Sequence, residues 1–221
     1  CKIVPPKKPG REPTIAGSMR SLCDHYFKCA EFKALDPSTR RVRRSILERF
    51  CLMTTPGGKR YGDLPFKPIL PRNIRAIRDK LAETPAAANA LVKALRQVFT
   101  YAIAHDLADA NPAKDVPYLP AVRPDGIPAW NEDEVAAFEA RHPVGTSARL
   151  ALVLFTEFGQ RISDIHRIGP KDIRGGALVF TQHKNRNRKP VTLTLPISDR
   201  LMEVLQMTPH GSETFLLNDF G

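Results

Sequence analysis

The 221-residue chain is 42% hydrophobic and 26% charged, which is typical of a packed, soluble protein with one large or two ordinary domains. No run approaches the roughly 20 apolar residues of a membrane helix, and no signal peptide opens the sequence, so a cytoplasmic location is predicted. The net charge of +11 is concentrated at one end: residues 1–100 hold 21 Lys and Arg against 8 Asp and Glu, whereas residues 101–221 hold 13 against 15. A basic half joined to a near-neutral half is typical of a polyanion-binding module attached to a unit with another task.

The cysteines and acidic residues give no sign of a metal centre. Cys1, Cys23, Cys29 and Cys51 have no CxxC spacing and no accompanying histidine cluster, so neither a zinc site nor a disulfide framework is predicted. No carboxylate cluster suits a pair of magnesium ions. No metal and no cofactor are therefore expected.

The first 50 residues predict a loose arm followed by two helices. Residues 1–13 are rich in proline and basic residues and cannot bury an apolar face. A first helix is predicted from Thr14 to about residue 35. A second opens with Asp36 as N-cap and Pro37 in the first turn, with an apolar face directed inward. The inward face of this second helix comprises Val42, Ile46, Leu47 and Phe50, and its remaining face carries Arg40, Arg41, Arg43 and Arg44.

Two further helices complete a predicted helical domain over residues 14–110. The third buries Ile74, Ile77 and Leu81, and the fourth runs from Thr84-Pro85 to about His105. Polar and basic residues occupy the opposite faces of both helices: Arg72, Arg75, Arg78 and Lys80 on the third, and Asn89, Lys93, Arg96 and Gln97 on the fourth.

A proline-rich segment over residues 111–130 is predicted to be the linker to a second domain, residues 131–221. That domain begins with two helices, the second of which is broken by Gly159, and a short helical segment at residues 161–167 follows. Alternating apolar residues then predict strands at Ala177–Thr181 and Val191–Leu195, joined by a basic connection. This pattern predicts a mainly α-helical protein with a small β-hairpin or sheet.

Two stretches resemble the tyrosine recombinase family, which includes the phage integrases. Residues 88–102, ANALVKALRQVFTYA, followed by Asn111-Pro112, are similar to the family's core-binding domain. Residues 155–165, FTEFGQRISDI, leading into the hairpin, resemble the family's pattern of glycine, one residue, catalytic arginine, one residue, serine and an acidic residue. The resemblance covers residues 14 to about 205. It implies a four-helix, SAM-like core-binding domain followed by part of an α+β catalytic domain.

The resemblance assigns catalytic roles to three residues. Arg161 matches the first catalytic arginine, Asp164 the supporting acidic residue and Lys184 the hairpin lysine, with Lys189 as the alternative lysine. The family cuts and rejoins DNA through a 3′-phosphotyrosine without a metal. A guanidinium suits this chemistry because it binds two non-bridging phosphate oxygens at once, and a lysine can protonate the departing 5′ oxygen. Asp164 is expected to orient Arg161 from the same helical face.

The expected partner is double-stranded DNA. Arginines on the second and third helices are candidates for phosphate contacts, and polar residues of the fourth helix for base edges in a major groove. The phosphate candidates are Arg40, Arg43, Arg44, Arg72, Arg75 and Arg78, with Arg186 and Arg188 on the hairpin connection, and the base-edge candidates are Asn89, Lys93 and Arg96.

The sequence departs from the family in its second half. All four tyrosines precede Arg161, and the spacing histidine-x-x-arginine occurs only at His183 and Arg186, on the predicted hairpin tip, where we interpret it as accidental. The catalytic domain is therefore expected to be truncated before its nucleophile, and this chain is expected to bind DNA without cleaving it.

Three hypotheses follow. The first is a recombinase of a mobile element, whose whole form acts as a tetramer on two duplexes and can take a directionality factor. The second is a non-catalytic relative that occupies recombination sites, and the third is a helical protein-interaction module with an incidental basic face.

Overall fold

The computed structural model describes residues 14–123, 125–184 and 186–217, which form two compact units divided between Ile127 and Pro128. We call them unit 1 and unit 2. The predicted basic arm lies outside the described residues. Among the residues that are described, no helix is both long and apolar enough to cross a membrane.

Unit 1 is a helical bundle around a core of large apolar side chains, among them Leu22, Phe50, Leu95 and Phe99. The first predicted helix is divided at Cys29. The helices of unit 1 are α1 (Met19–Lys28), α2 (Ala30–Lys33), α3 (Pro37–Leu52), α4 (Pro71–Asp79) and α5 (Pro85–Ala104), with a 3₁₀ turn at Tyr61–Asp63. Asp36 caps α3 as predicted, since its Oδ1 accepts a hydrogen bond from the Ser38 N–H at 2.9 Å.

The segment after α5 packs onto unit 1, although its prolines predicted a linker from residue 111 onward. Pro112, Ala113 and Val116 are buried against the helical core. The structural division at residues 127 and 128 falls inside the predicted linker, residues 111–130, although it lies 17 residues beyond the predicted end of the helical domain at residue 110. Proline excludes regular structure here, but it does not prevent packing.

In the described part of unit 2, four helices surround a small antiparallel sheet of strand order β1-β2-β3. Its core contains Leu150, Leu154, Ile165, Leu178 and Leu201. The elements are α6 (Glu132–Arg141), α7 (Ser147–Phe158), α8 (Ile162–Ile165), a 3₁₀ turn at Pro170–Asp172, β1 (Ile173–Arg174), β2 (Ala177–Thr181), β3 (Thr192–Pro196) and α9 (Asp199–Met207). The two predicted strands are confirmed as β2 and β3, paired from Ala177 with Pro196 to Thr181 with Thr192.

Strand β1 was not predicted from the sequence. It pairs with β2 through a two-residue turn in which Gly175 and Gly176 both have positive φ, +56° and +77°. A tight turn of this kind strongly favours glycine at both central positions. The Gly-Gly pair ahead of an apolar run was therefore a readable hairpin signal. The predicted fold class, mainly α with a small sheet, is confirmed.

Candidate catalytic cluster and nucleic-acid interface

Arg161 lies at the break between α7 and α8. Gly159 ends α7 in the left-handed conformation, with φ of +56°, and Arg161 occupies the N-cap position of α8. Its backbone carbonyl accepts hydrogen bonds from the amides of Asp164 and Ile165. The Arg161 side chain is exposed, and no described residue forms a hydrogen bond or ion pair with its guanidinium. All five of its N–H donors are therefore available to a ligand.

Asp164 is buried, with 2% of its surface exposed, and it contacts the hairpin instead of Arg161. Its Oδ1 accepts a hydrogen bond from the backbone N–H of His183 at 2.6 Å. Its Oδ2 is also buried and has no hydrogen-bond partner among the described residues. The expected pairing of Asp164 with Arg161 is not present within the described part of the chain. The carboxylate fixes the start of the β2–β3 connection, one residue before Lys184.

A second hydrogen bond ties the same two segments together. The side-chain amide of Gln182 donates to the Oε1 of Gln160 at 2.8 Å, and Gln160 in turn donates to the carbonyl of Phe158 at 2.8 Å. Arg161 thus lies between two residues, Gln160 and Asp164, that both hold the beginning of the connection. Sequence spacing gave no sign of this pair, because the two glutamines are 22 positions apart.

The β2–β3 connection presents most of its cations to solvent. Lys184, Arg188 and Lys189 are exposed, and none has a hydrogen-bond or ion-pair partner among the described residues. Arg186 donates to the carbonyl of His183 at 3.0 Å, so part of its guanidinium is engaged by the turn itself. The cluster at this end of unit 2 therefore combines Arg161 with an exposed lysine on an adjoining, tethered segment.

The arginines of unit 1 that are predicted to contact phosphates differ in whether other residues of the protein already bind them. Arg40, Arg72 and Arg75 have no partner among the described side chains, and Arg72 and Arg75 are exposed on α4. Arg43 donates to the hydroxyl of Tyr26 at 2.7 Å, and Arg44 stacks 4.4 Å above the ring of Phe27. These latter two are held in position and keep part of their donors for a ligand.

Asn89 and Arg96 bind the chain's own backbone, so the prediction that they reach base edges is revised. Arg96 donates from Nε to the carbonyl of Ala113 and from its two terminal nitrogens to the carbonyl of Val116 and the hydroxyl of Tyr118, at 3.0–3.1 Å. The Asn89 side chain both donates to the carbonyl of Leu119 and accepts from its amide, at 2.8 Å each. Three residues of α5 were predicted to contact base edges. Of these, only Lys93 is exposed and has no partner among the described residues.

Arg78 is revised for the same reason. It donates to the carbonyl of Pro117 at 2.7 Å and pairs with the carboxylate of Asp79, and its side chain is only 12% exposed. Arg78, Asn89 and Arg96 together hold residues 113–119 against the bundle. Their role is structural, although the helical spacing of the sequence places them on the polar face that was expected to meet solvent or DNA.

None of the tyrosines lies in unit 2. Tyr26 is buried, and burial raises the pKa of its hydroxyl despite the opposing hydrogen bond from Arg43. Burial likewise raises the pKa of Tyr101, while Tyr61 stacks on Phe50 and Tyr118 accepts from Arg96. All four tyrosine side chains therefore contact other residues of unit 1, and no tyrosine follows Tyr118 in the sequence.

The fold is similar to that of several DNA-bound integrases. A lambda integrase dimer bound to a core site aligns over 90% of this chain and 73% of its own, with 22% identity and a TM-score of 0.71. A lambda integrase tetramer bound to a Holliday junction aligns over 86% of this chain and 55% of its own, at 21% identity and a TM-score of 0.68. The Tn1549 transposon integrase in complex with circular intermediate DNA aligns over 86% and 63%, at 15% identity and a TM-score of 0.61.

At these identities the likeness establishes the fold, and it confirms the resemblance in fold to the tyrosine-type integrases. No family model matches the sequence, and no curated protein matches it. The chain spans a little over half to about three quarters of the integrase chains to which it is similar.

Proposed function

We propose that this chain is the core-binding unit and the first part of the catalytic unit of a tyrosine-type site-specific recombinase from a mobile element. The observation that carries the proposal is Arg161: an exposed guanidinium without a protein partner among the described residues, next to a lysine-bearing segment that two hydrogen bonds hold in place. No hydrogen bond or ion pair among the described residues engages this arginine. The likeness in fold to DNA-bound integrases supports the same reading.

The proposed chemistry follows from the two exposed cations. In transesterification at a DNA phosphate, negative charge develops on the non-bridging oxygens, and the guanidinium of Arg161 would bind two of them by parallel hydrogen bonds. Lys184 would donate a proton to the departing 5′ oxygen, and Lys189 is the alternative donor. Asp164 would act as a positioning residue, through the backbone of His183. This route needs no metal and no cofactor.

The proposed partner of this chain is double-stranded DNA, bound through Arg40, Arg43, Arg44, Arg72, Arg75 and Lys93 in unit 1 and through the β2–β3 connection in unit 2. The whole recombinase would assemble as a tetramer on two duplexes in the cytoplasm and respond to a directionality factor. The four tyrosines of these 221 residues all lie in unit 1, so none of them is proposed as the nucleophile.

A second candidate function is a DNA-binding relative that occupies recombination sites without cutting. The observation that favours it is the pair of exposed, unpaired arginines Arg72 and Arg75 on α4, since phosphate binding by unit 1 needs no catalytic residue. The two candidates differ in the gene downstream of the codon for Gly221. A reading frame that continues into a histidine-x-x-arginine motif and a tyrosine decides for the enzyme, and a stop codon decides for the binding protein.

Replacing both Arg72 and Arg75 by alanine is expected to weaken duplex binding and to lower its salt dependence. Each arginine that contacts a phosphate contributes about one to the slope of log K against log salt, so the double variant should lose about two. The measurement is fluorescence anisotropy with a labelled duplex between 50 and 200 mM salt. A matched control replaces Lys28 and Lys33, exposed cations on α1 and α2. An unchanged slope in the arginine variant would remove α4 from the interface.

A polypeptide of these 221 residues is expected to bind a nicked suicide duplex without forming a covalent adduct. Every tyrosine lies in unit 1, and Tyr26, Tyr61, Tyr101 and Tyr118 all take part in its packing. The measurement is denaturing electrophoresis of the protein after incubation with labelled DNA, with binding checked in parallel under native conditions. A DNA-linked band that carries a 3′-phosphotyrosine would contradict the prediction, and binding without such a band would agree with it.

A further inference from the structure

Val42 lies on the outside of α3, although helical spacing predicted that it faces inward. Its surface is 59% exposed, in a helix whose neighbouring positions are Arg41 and Arg43. A β-branched residue is a poorer helix former than alanine, and an exposed apolar side chain gains little from folding. Neither helix propensity nor core packing therefore explains valine at this position.

Val42 belongs to a groove of about 320 Å³ between α3 and α5. Its apolar part is formed by Val42, Ile46, Ala90 and Ala94, and its cations are Arg43 and Lys93. The hydroxyl of Tyr26 holds Arg43 in place at 2.7 Å, while Lys93 has no partner among the described residues. An open groove of this composition suits a ligand that carries negative charge beside a small apolar group.

The ligand that best matches this charge is the one already proposed for unit 1. The major groove of B-form DNA is wide enough for an α-helix, and its phosphates flank base edges that include one apolar group, the 5-methyl of thymine. Lys93 suits a guanine edge or a phosphate, and Val42 suits the methyl group. We infer that Val42 reads thymine in the major groove, which makes it a specificity-determining residue in the α3–α5 groove.

This inference rests on the proposed DNA binding but adds a separate claim, because phosphate contacts alone would bind every sequence. It also replaces the sequence prediction for α5. Asn89 and Arg96 are engaged by residues 113–119. In the groove itself Val42 offers the exposed apolar contact, beside the polar groups of Ser38, Thr39, Arg43 and Lys93.

The test removes the methyl group and the valine separately. Duplexes that the wild-type chain selects from a random pool are resynthesised with deoxyuridine in place of thymidine, which deletes the methyl groups and keeps every base-edge hydrogen-bonding group. Binding of wild type and Val42→Ala is measured on both duplexes. Alanine is tolerated at this exposed helical position, so the variant is expected to fold.

The expected result is non-additive. Each contacted methyl group should contribute about fourfold in affinity, so wild type should bind the deoxyuridine duplex about fourfold more weakly per contact. Val42→Ala should show a similar loss on the thymidine duplex and little further loss on the deoxyuridine duplex. Val122→Ala, at a valine that is 76% exposed outside the helices, should match wild type on both.

Equal affinity of wild type and Val42→Ala on the thymidine duplex would overturn the inference and leave the groove to another ligand, such as an acidic peptide. The inference would also be overturned if Val42→Ala on the deoxyuridine duplex lost affinity equal to the sum of the two separate losses. The proposed DNA binding fails in a different way, because wild type would then select no duplex from the pool and show no salt-dependent affinity.

Discussion

Replacing Arg96 by alanine is expected to lower the free energy of unfolding of unit 1 by about 3 kcal/mol and to leave the DNA affinity of the folded chain nearly unchanged. The guanidinium donates three hydrogen bonds, to the carbonyls of Ala113 and Val116 and to the hydroxyl of Tyr118. It also lies 5.0 Å from the centre of the Tyr118 ring. A hydrogen bond from a charged group typically contributes about 1.5–3 kcal/mol, and the three share one side chain, so their contributions do not simply add.

Urea denaturation followed by far-ultraviolet circular dichroism measures the change, and hydrogen exchange of the α5 amides assigns it to unit 1. Trp130, the one tryptophan, lies in unit 2, so its fluorescence serves as an internal reference. Arg96→Lys keeps the charge but loses the planar set of donors, and it should recover little of the stability.

Arg75→Ala is the matched control for Arg96→Ala. Arg75 is exposed and has no partner among the described residues, so its removal should change the unfolding free energy by less than about 0.5 kcal/mol and weaken DNA binding. The opposite pattern, with Arg96→Ala stable and deficient in binding, would return Arg96 to the DNA interface.

The role of Arg96 illustrates what the sequence could not supply. Helical spacing correctly placed α5 and its buried stripe, and Thr84-Pro85 correctly marked the start of that helix. The same spacing showed only that Asn89 and Arg96 lie on the side of α5 opposite its buried stripe. That side of a helix can still be covered by another segment of the chain, as it is here. The partners of Asn89 and Arg96 lie 17 to 30 positions away, in a proline-rich segment whose backbone carbonyls leave no pattern in the sequence. Only the tertiary structure distinguishes a structural arginine from a free one.

Val42 and β1 show two other limits. Helical spacing places Val42 at the edge of the apolar face of α3. In the packed structure Val42 remains exposed, whereas Ile46 is half-buried beside α5. Strand β1 has two residues, too few for any alternation to be visible, and only Gly175-Gly176 indicated it. By contrast, the hairpin of β2 and β3 and the break at Gly159 follow from strong local preferences, and both were predicted.

The members of the candidate catalytic cluster remain a prediction, and their contacts differ from those that the sequence suggested. Motif spacing identified Arg161, Asp164 and Lys184, and helical geometry suggested that Asp164 pairs with Arg161 three positions earlier. In the structure the Asp164 carboxylate contacts the His183 amide instead, which leaves the guanidinium of Arg161 exposed. A free arginine and a fixed hairpin are what binding of a phosphate followed by proton transfer would require. In the proposed reaction the carboxylate would act through the lysine segment, whose start it holds by the bond to His183.

Removing that tether gives the sharpest test of the cluster. Asp164→Ala is expected to lower the free energy of unfolding of unit 2 by about 2 kcal/mol, because the His183 N–H loses a charged acceptor at 2.6 Å. The loss is moderated because the variant also removes Oδ2, which is buried without a partner among the described residues. Urea denaturation followed by Trp130 fluorescence measures the stability change, since this tryptophan packs on Phe138 of α6.

Local mobility should change more than global stability. In Asp164→Ala the amides of residues 182–184 and 186–189 should exchange hydrogen faster than in wild type, while those of α9 should change only in proportion to the stability loss. Asp164→Asn is the matched control, since its side-chain oxygen can still accept from His183, and it should retain slow exchange at that amide. If Asp164→Ala exchanged at the wild-type rate along the connection, the carboxylate would not hold Lys184 beside Arg161. If Asp164→Asn behaved like the alanine variant, the negative charge, and not the acceptor alone, would be what fixes the hairpin.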